Sequence, residues 1–171
     1  MLILIKLNKM EVILNMKIAI ASDHSGFALK QEIKIFLETK GYEVQDYGTY
    51  NEEASDLSDF VYPASLAVAN GKADRGIFID GVGYGSALIA NKIYGLYAAV
   101  CQDPFCAKLA RLHSNTNVLC IGAKIIGSGI ALEIVNTWLT TDFLVDTKKY
   151  KLRVDKINQI SEKHLKKLSE I

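Results

Sequence analysis

Asp80 is followed by glycines on alternate positions, Gly81, Gly83 and Gly85, and then by Ser86. Glycine lacks a Cβ, so the backbone N–H groups of such a loop can approach a ligand closely. A helix starting there adds unsatisfied donors and the positive end of a dipole. Negative charge is favoured in that setting, and a carboxylate beside it can move protons, so Asp80 reads as a base and the loop as an anion hole. The plain structural alternative is a tight turn in which Asp80 caps the helix that follows. Further groups able to do chemistry stand at comparable breaks in the chain: Asp23-His24, Gln102-Asp103, and Lys124 after Gly122-Ala123. His113-Ser114 lies in a polar stretch, residues 111–117, suited to a surface loop, a shared site or a plain helix end. A carboxylate, an imidazole, a glycine-lined anion site and a lysine suit proton transfer on a small anionic substrate. The glycine spacing is GxGxG rather than GxGxxG, and no GxxxxGK[ST] is present, which argues against nicotinamide binding and nucleoside triphosphate hydrolysis.

Those groups need elements to hold them. Apolar runs at residues 17–21, around Val44, and at 76–79, 96–100 and 118–121 predict five short buried strands. Helical spacing predicts helices over 26–40, through Leu66 and Val68 to Gly71, after Ser86, and over 104–112 and 126–139. Strand and helix alternate, which predicts an α/β fold, a Rossmann-like three-layer sandwich with a five-stranded parallel sheet. In such sheets ligands sit beyond the carboxyl ends of the strands, where Asp23, His24, Asp80 and Lys124 would converge.

The expected organisation is one Rossmann-like domain over residues 16–145, preceded by residues 1–15 and followed by a lysine-rich amphipathic helical segment over 146–171. Residues 1–15 hold two apolar stretches divided by Lys9 and Glu11, and read as an upstream start ahead of Met16, or as an added edge element. The apolar side of the tail (Leu152, Ile157, Ile160, Leu165 and Leu168) must pack on its own domain or on a neighbouring subunit. The chain has 171 residues, 50% hydrophobic and 23% charged, with a net charge of +1, so nothing in its bulk charge calls for nucleic acid or a membrane surface. No apolar run is long enough to span a bilayer. Cys101, Cys106 and Cys120 suggest neither a disulfide frame nor a zinc site, and a reduced, cytoplasmic protein is expected.

Several segments together resemble the ribose-5-phosphate isomerase B family, which includes the galactose-6-phosphate isomerase subunits. They are Lys17-Ile18-Ala19-Ile20-Ala21-Ser22-Asp23-His24, Gly41-Tyr42-Glu43-Val44 with Asp46-Tyr47-Gly48-Thr49, the GxGxGS loop with Ala90-Asn91-Lys92, and Arg111-Leu112-His113 with Thr116-Asn117-Val118. The resemblance implies aldose–ketose isomerisation of a sugar phosphate through a cis-enediolate, such as ribose 5-phosphate to ribulose 5-phosphate or a related hexose 6-phosphate. It implies no metal or other cofactor, and a homodimer or homotetramer with shared active sites. Asp23 and His24 would contact sugar hydroxyls and the ring, His113 would assist ring opening, and residues 81–86 would hold the enediolate oxygen. Ser114 would line the substrate, and Lys124, Lys149 and Arg153 would bind phosphate, the last two from a C-terminal helix reaching a neighbouring subunit.

The departures from the family pattern are chemical. Asp80 stands where many members have a cysteine base, and Ser86 where others have a glutamate. Val82 replaces a threonine, Ser114 an asparagine, and two of the phosphate cations are lysine, which supplies charge without the guanidinium fork. Its place at the end of a strand keeps Asp80 the expected base, and a buried site would raise its pKa provided the loop donors point at the substrate instead. Alternatives are a catalytically incomplete subunit that needs a partner chain, and a non-enzymatic sugar-phosphate binding protein.

Overall fold

The computed structural model describes residues 16–170, so the N-terminal extension expected over residues 1–15 lies outside the described residues. Five strands, β1 (Lys17–Ser22), β2 (Glu43–Asp46), β3 (Arg75–Asp80), β4 (Ala98–Val100) and β5 (Val118–Gly122), pair in parallel in the order β2-β1-β3-β5-β4. Parallel neighbours cannot be joined by a hairpin, and helices supply the crossovers. These are α1 (Phe27–Thr39), α2 (Ser58–Ala69), α3 (Tyr84–Ala90), α4 (Pro104–Ser114) and α5 (Ser128–Thr140), with α6 (Lys148–His164) after the sheet is complete. Short 3-10 turns lie at His24–Gly26 and Leu168–Glu170. The α/β architecture expected from the alternating pattern is therefore present.

Alternate side chains of a strand point to opposite faces, so the central strands feed two separate cores. Ile18, Ile20, Ile77, Ile79, Leu119 and Ile121 pack under α1 and α5 with Leu29, Ile33, Leu37, Ile134 and Trp138. Ala19, Ala21, Phe78 and Cys120 pack under α2 and α3 with Val61, Ala64, Val68 and Ala90. The chain leaves β1 towards β2 on one side and returns to β3 on the other, which makes the β1/β3 boundary the topological switch point.

Two details differ from the pattern read along the chain. Strand β4 begins at Ala98 rather than Leu96, because Gly95 takes a left-handed turn (φ +83°) and Asn117 holds the Tyr97 N–H through its Oδ1 at 2.8 Å. The side-chain amide of Asn91 then pairs with Ala98 in both directions, at 3.0 and 2.9 Å. The tail helix is shorter than residues 146–171, and it buries no side chain among the described residues: Leu152 is 51% and Ile160 62% exposed. Among the described residues no helix is long and apolar enough to cross a membrane.

The end of β5 is fitted closely to the loop after β3. A Cβ on Gly122 would stand 2.7 Å from the carbonyl carbon of Val82 and 2.8 Å from its Cα and O, all backbone atoms. Gly122→Ala is expected to lower stability by about 1–3 kcal/mol, the range typical of overpacking a tight site. A urea midpoint equal to that of the parent would contradict this contact.

Candidate active site

Asp80 ends β3 at the switch point and is 4% exposed. Its Oδ1 accepts the N–H groups of Val82 at 2.8 Å and Gly83 at 2.5 Å. Its Oδ2 accepts the Ser86 N–H at 2.8 Å and the Ser86 hydroxyl at 2.7 Å. Gly83 makes this possible by turning the chain at φ +85°, a conformation open to residues without a Cβ, so that the loop folds back over the strand end. A carboxylate offers about four lone-pair sites, and all are taken.

Two linked expectations are thereby corrected. The N–H groups of Val82, Gly83 and Ser86 point at Asp80 instead of outwards at a substrate oxygen. The Asp80 carboxyl is also held below the usual carboxylate range rather than above it. Burial is the strongest single influence and pushes it up, but the bonds from the Ser86 hydroxyl and the Ser86, Val82 and Gly83 N–H groups together outweigh it. Capping of the turn is what the geometry displays, and the carboxylate stays ionised.

Asp23 lies just beyond β1 and accepts the Ser25 N–H at 3.0 Å, the Ser25 hydroxyl at 2.6 Å and the Gly26 N–H at 3.1 Å, capping the 3-10 turn. Nδ1 of His24 accepts the Ser55 N–H at 3.2 Å, while the His24 N–H donates to the Ser55 hydroxyl at 3.2 Å. An Nδ1 that accepts cannot carry the proton, so the neutral ring is protonated on Nε2. The Asp23 turn and the glycine loop adjoin, since a Cβ on Gly81 would lie 3.5 Å from Ser25 Oγ and 3.6 Å from Lys124 Cδ. The Lys124 N–H also donates to the Gly81 carbonyl at 3.0 Å, and the Ala123 N–H to that of Asp80 at 2.8 Å. One rim thus collects Asp23, His24, Asp80, Gly81, Gly83, Gly85, Ser86 and Lys124. Asp103 does not join the chemistry visibly: it caps α4 by accepting the Cys106 N–H at 2.8 Å.

His113, Ser114, Lys149 and Arg153 are elsewhere. Helix α4 starts near the carboxyl end of β4 and runs back towards the start of β5, so its last turn sits at the opposite end of the sheet from Asp80. Along a strand of this length that separation is about 15 Å. There the His113 ring stacks on Tyr150, centroids 4.1 Å apart at 18°. Lys149 Nζ and Arg153 Cζ lie over the same Tyr150 ring at 4.8 and 5.5 Å. Tyr150 and Ser55 were not singled out in the sequence. Tyr150 had a signal in its place between Lys149 and Arg153 on one helix, whereas Ser55 had none inside an acidic loop. A cleft of about 510 Å³ lies on α3 against Tyr84, Ala87, Leu88, Asn91 and Lys92, a lining that does not include Asp80.

All three thiols are free, with Cys101 and Cys120 buried. Burial pushes Cys101 up to about 12 and Cys120 well above its usual value, so neither supplies a thiolate near the rim. Among the described residues no group of three or more His, Cys, Asp or Glu side chains stands together as a candidate metal cage.

Comparison with known proteins adds an independent line. Residues 18–157 match the family described as Ribose/Galactose Isomerase. The chain is similar to ribose-5-phosphate isomerase B of Escherichia coli, 40% identical over 147 residues, covering 86% of this chain and 97% of that one. It is also similar to the 4-deoxy-4-sulfo-D-erythrose isomerase of a Clostridium species, 37% identical over 137 residues, 80% of this chain and 86% of that one. The solved structure of Clostridium thermocellum ribose-5-phosphate isomerase B superposes with a TM-score of 0.83 at 44% identity, covering 87% of this chain and 99% of that one. With a family match across most of its length and relatives covered nearly end to end, the chain belongs to the ribose/galactose isomerase family.

Proposed function

We propose that this isomerase interconverts the aldose and ketose forms of a short sugar carrying a terminal anion, with ribose 5-phosphate the first candidate and hexose 6-phosphates next. The observation that carries the reading is the rim itself: an ionised carboxylate on a glycine loop, an imidazole with its Nε2 proton free to face a hydroxyl, and a lysine, all beyond the carboxyl ends of β1, β3 and β5. Relatives named for a five-carbon phosphate and for a four-carbon sulfonate share the need for a cation at the far end of the substrate. Lys124 fits that need on this rim.

In this reading Asp80 removes the proton next to the carbonyl and returns it to the neighbouring carbon through a cis-enediolate. To do so it must release a lone pair. Of its four donors three are backbone N–H groups and one, the Ser86 hydroxyl, is a rotor. Swinging that hydroxyl away frees one site on Oδ2 and removes the strongest of the influences that lower the Asp80 pKa. Asp23 and His24 contact sugar hydroxyls, and the remaining loop backbone lines the reacting oxygens. His113, Ser114, Lys149 and Arg153 reach such a site from a second copy, in a homodimer or homotetramer. Their position far from the chain's own Asp80 and the uncovered apolar side of α6 support that arrangement. Three free cysteines suit a reduced, cytoplasmic setting.

One observation favours a second reading. Asp80 is nearly inaccessible and fully hydrogen-bonded, as expected of a structural cap in a subunit that borrows its base from a different chain. Proton NMR of the purified protein in D₂O with ribose 5-phosphate and then hexose 6-phosphates separates the two. Ketose formation with deuterium at C1 of the ketose or at C2 of the recovered aldose supports the homomeric enzyme. No exchange until a family chain bearing cysteine at the Asp80 position is added supports the incomplete subunit. For the homomeric enzyme, Asp80→Asn is expected to cost about a hundredfold to ten-thousandfold in turnover.

Ser86→Ala supplies the pH test. A carboxyl with a depressed folded pKa contributes stability above its unfolded value of about 3.9, and loses it as pH falls through the folded value. Removing the hydroxyl leaves burial less opposed, so the folded pKa rises. The acid limb of unfolding should then move to higher pH, and neutral-pH stability should fall by about 1–2 kcal/mol. An acid limb identical to that of the parent in circular dichroism would refute the assigned bond.

A further inference from the structure

Lys30 has no exposed surface, on a helix, α1, whose other buried residues are Leu29, Ile33 and Leu37. A buried ammonium survives only when paired, and here its Nζ lies 2.5 Å from Oδ1 of Asp46, with Lys34 Nζ at 3.3 Å from Oδ2. The rings of Tyr50 and Phe27 lie 5.4 and 5.8 Å from the same ammonium. Asp46 ends β2, and it accepts the Gly48 N–H on Oδ1 at 3.0 Å while its carbonyl accepts the Tyr50 hydroxyl at 3.2 Å. The turn so fixed is tied to the exit of β1: the Gly48 carbonyl accepts the Ser22 N–H, and the Thr49 N–H donates to the Ser22 carbonyl, both at 2.7 Å. Ser22 directly precedes Asp23. The chain running on from Thr49 reaches Ser55, which holds His24 through the reciprocal pair of bonds to its ring and backbone.

We propose that the Lys30–Asp46 ion pair is a positioning device for the substrate-contacting corner Asp23-His24, acting through the 46–49 turn on one side and the loop carrying Ser55 on the other. An apolar pair of the same volume would fill the space without aiming the carboxylate that organises Gly48. Lys30 and Asp46 touch no substrate in this arrangement; they set where His24 Nε2 points. The functional part rests on the isomerase reading above, and the structural part does not.

The test uses Lys30→Met, which keeps length and loses charge, and Asp46→Asn, which keeps an acceptor for Gly48 and loses the ion pair. Both are compared with the parent by ¹⁵N NMR of the His24 ring, amide exchange at Gly48 and Thr49, and KM and kcat with the sugar phosphate that the parent turns over. The expected result is a His24 Nδ1 that leaves its acceptor state, Thr49 exchange faster by about tenfold or more, and a KM raised about tenfold with kcat within about threefold, the pattern of lost uniform binding. A merely structural pair would lower the unfolding midpoint and leave the His24 spectrum, the Thr49 exchange and KM at the parent's values, and that result overturns the proposal. If Lys30→Met does not fold, Asp46→Asn decides. If the parent turns over no sugar phosphate, the isomerase reading fails while the His24 and Thr49 signals still decide the positioning role.

Discussion

Buried backbone N–H groups must find acceptors, and in this fold the chain meets that demand at the sheet's functional edge with carboxylates. Asp80 takes three N–H groups and a hydroxyl, Asp23 two N–H groups and a hydroxyl, Asp46 one N–H beside its ammonium partners, and Asp103 one. Each stands at or just past a strand end and captures the turn that follows. The turns that form the rim are therefore held by charge-assisted bonds, which are stronger than neutral ones. Where such a carboxylate is also asked to do chemistry, its two tasks compete for the same lone pairs.

That competition explains what the amino-acid sequence could and could not convey. Strand positions were legible because β1, β3 and β5 are buried on both faces and read as continuous apolar runs. The convergence of Asp23, His24, Asp80 and Lys124 followed from the parallel arrangement alone. The direction of the loop N–H groups was not legible, since it depends on Gly83 turning left-handed and on Gly122 admitting Val82, both matters of three-dimensional fit. Lys30 was ambiguous for a different reason: at helical spacing Leu29 and Lys30 compete for the core-facing position, and both are in fact buried. Its partner lies across the sheet edge, out of reach of any local pattern.

The functional groups also divide by origin. Those on turns after strands gather at one end because a parallel sheet points every strand the same way. Those on or after α4 gather at the other, because crossover helices run back against the strands. His113, Lys149 and Arg153 all lie against the ring of Tyr150 there. Within one chain, the end of the sheet that carries these groups is thus separated from the end that carries Asp80.

The short edge strand β4 carries a last consequence. An unpaired edge is a template on which another strand can add, and chains that leave one open are prone to fibrous association. Asn91 presents its amide to Ala98 as a neighbouring peptide group would, donating and accepting at once. Three residues of strand, half of whose outward bonding is already spent on a side chain, give an incoming strand little to register against. At Ala98 the sheet's outward pairing is thus closed by mimicry of a peptide group.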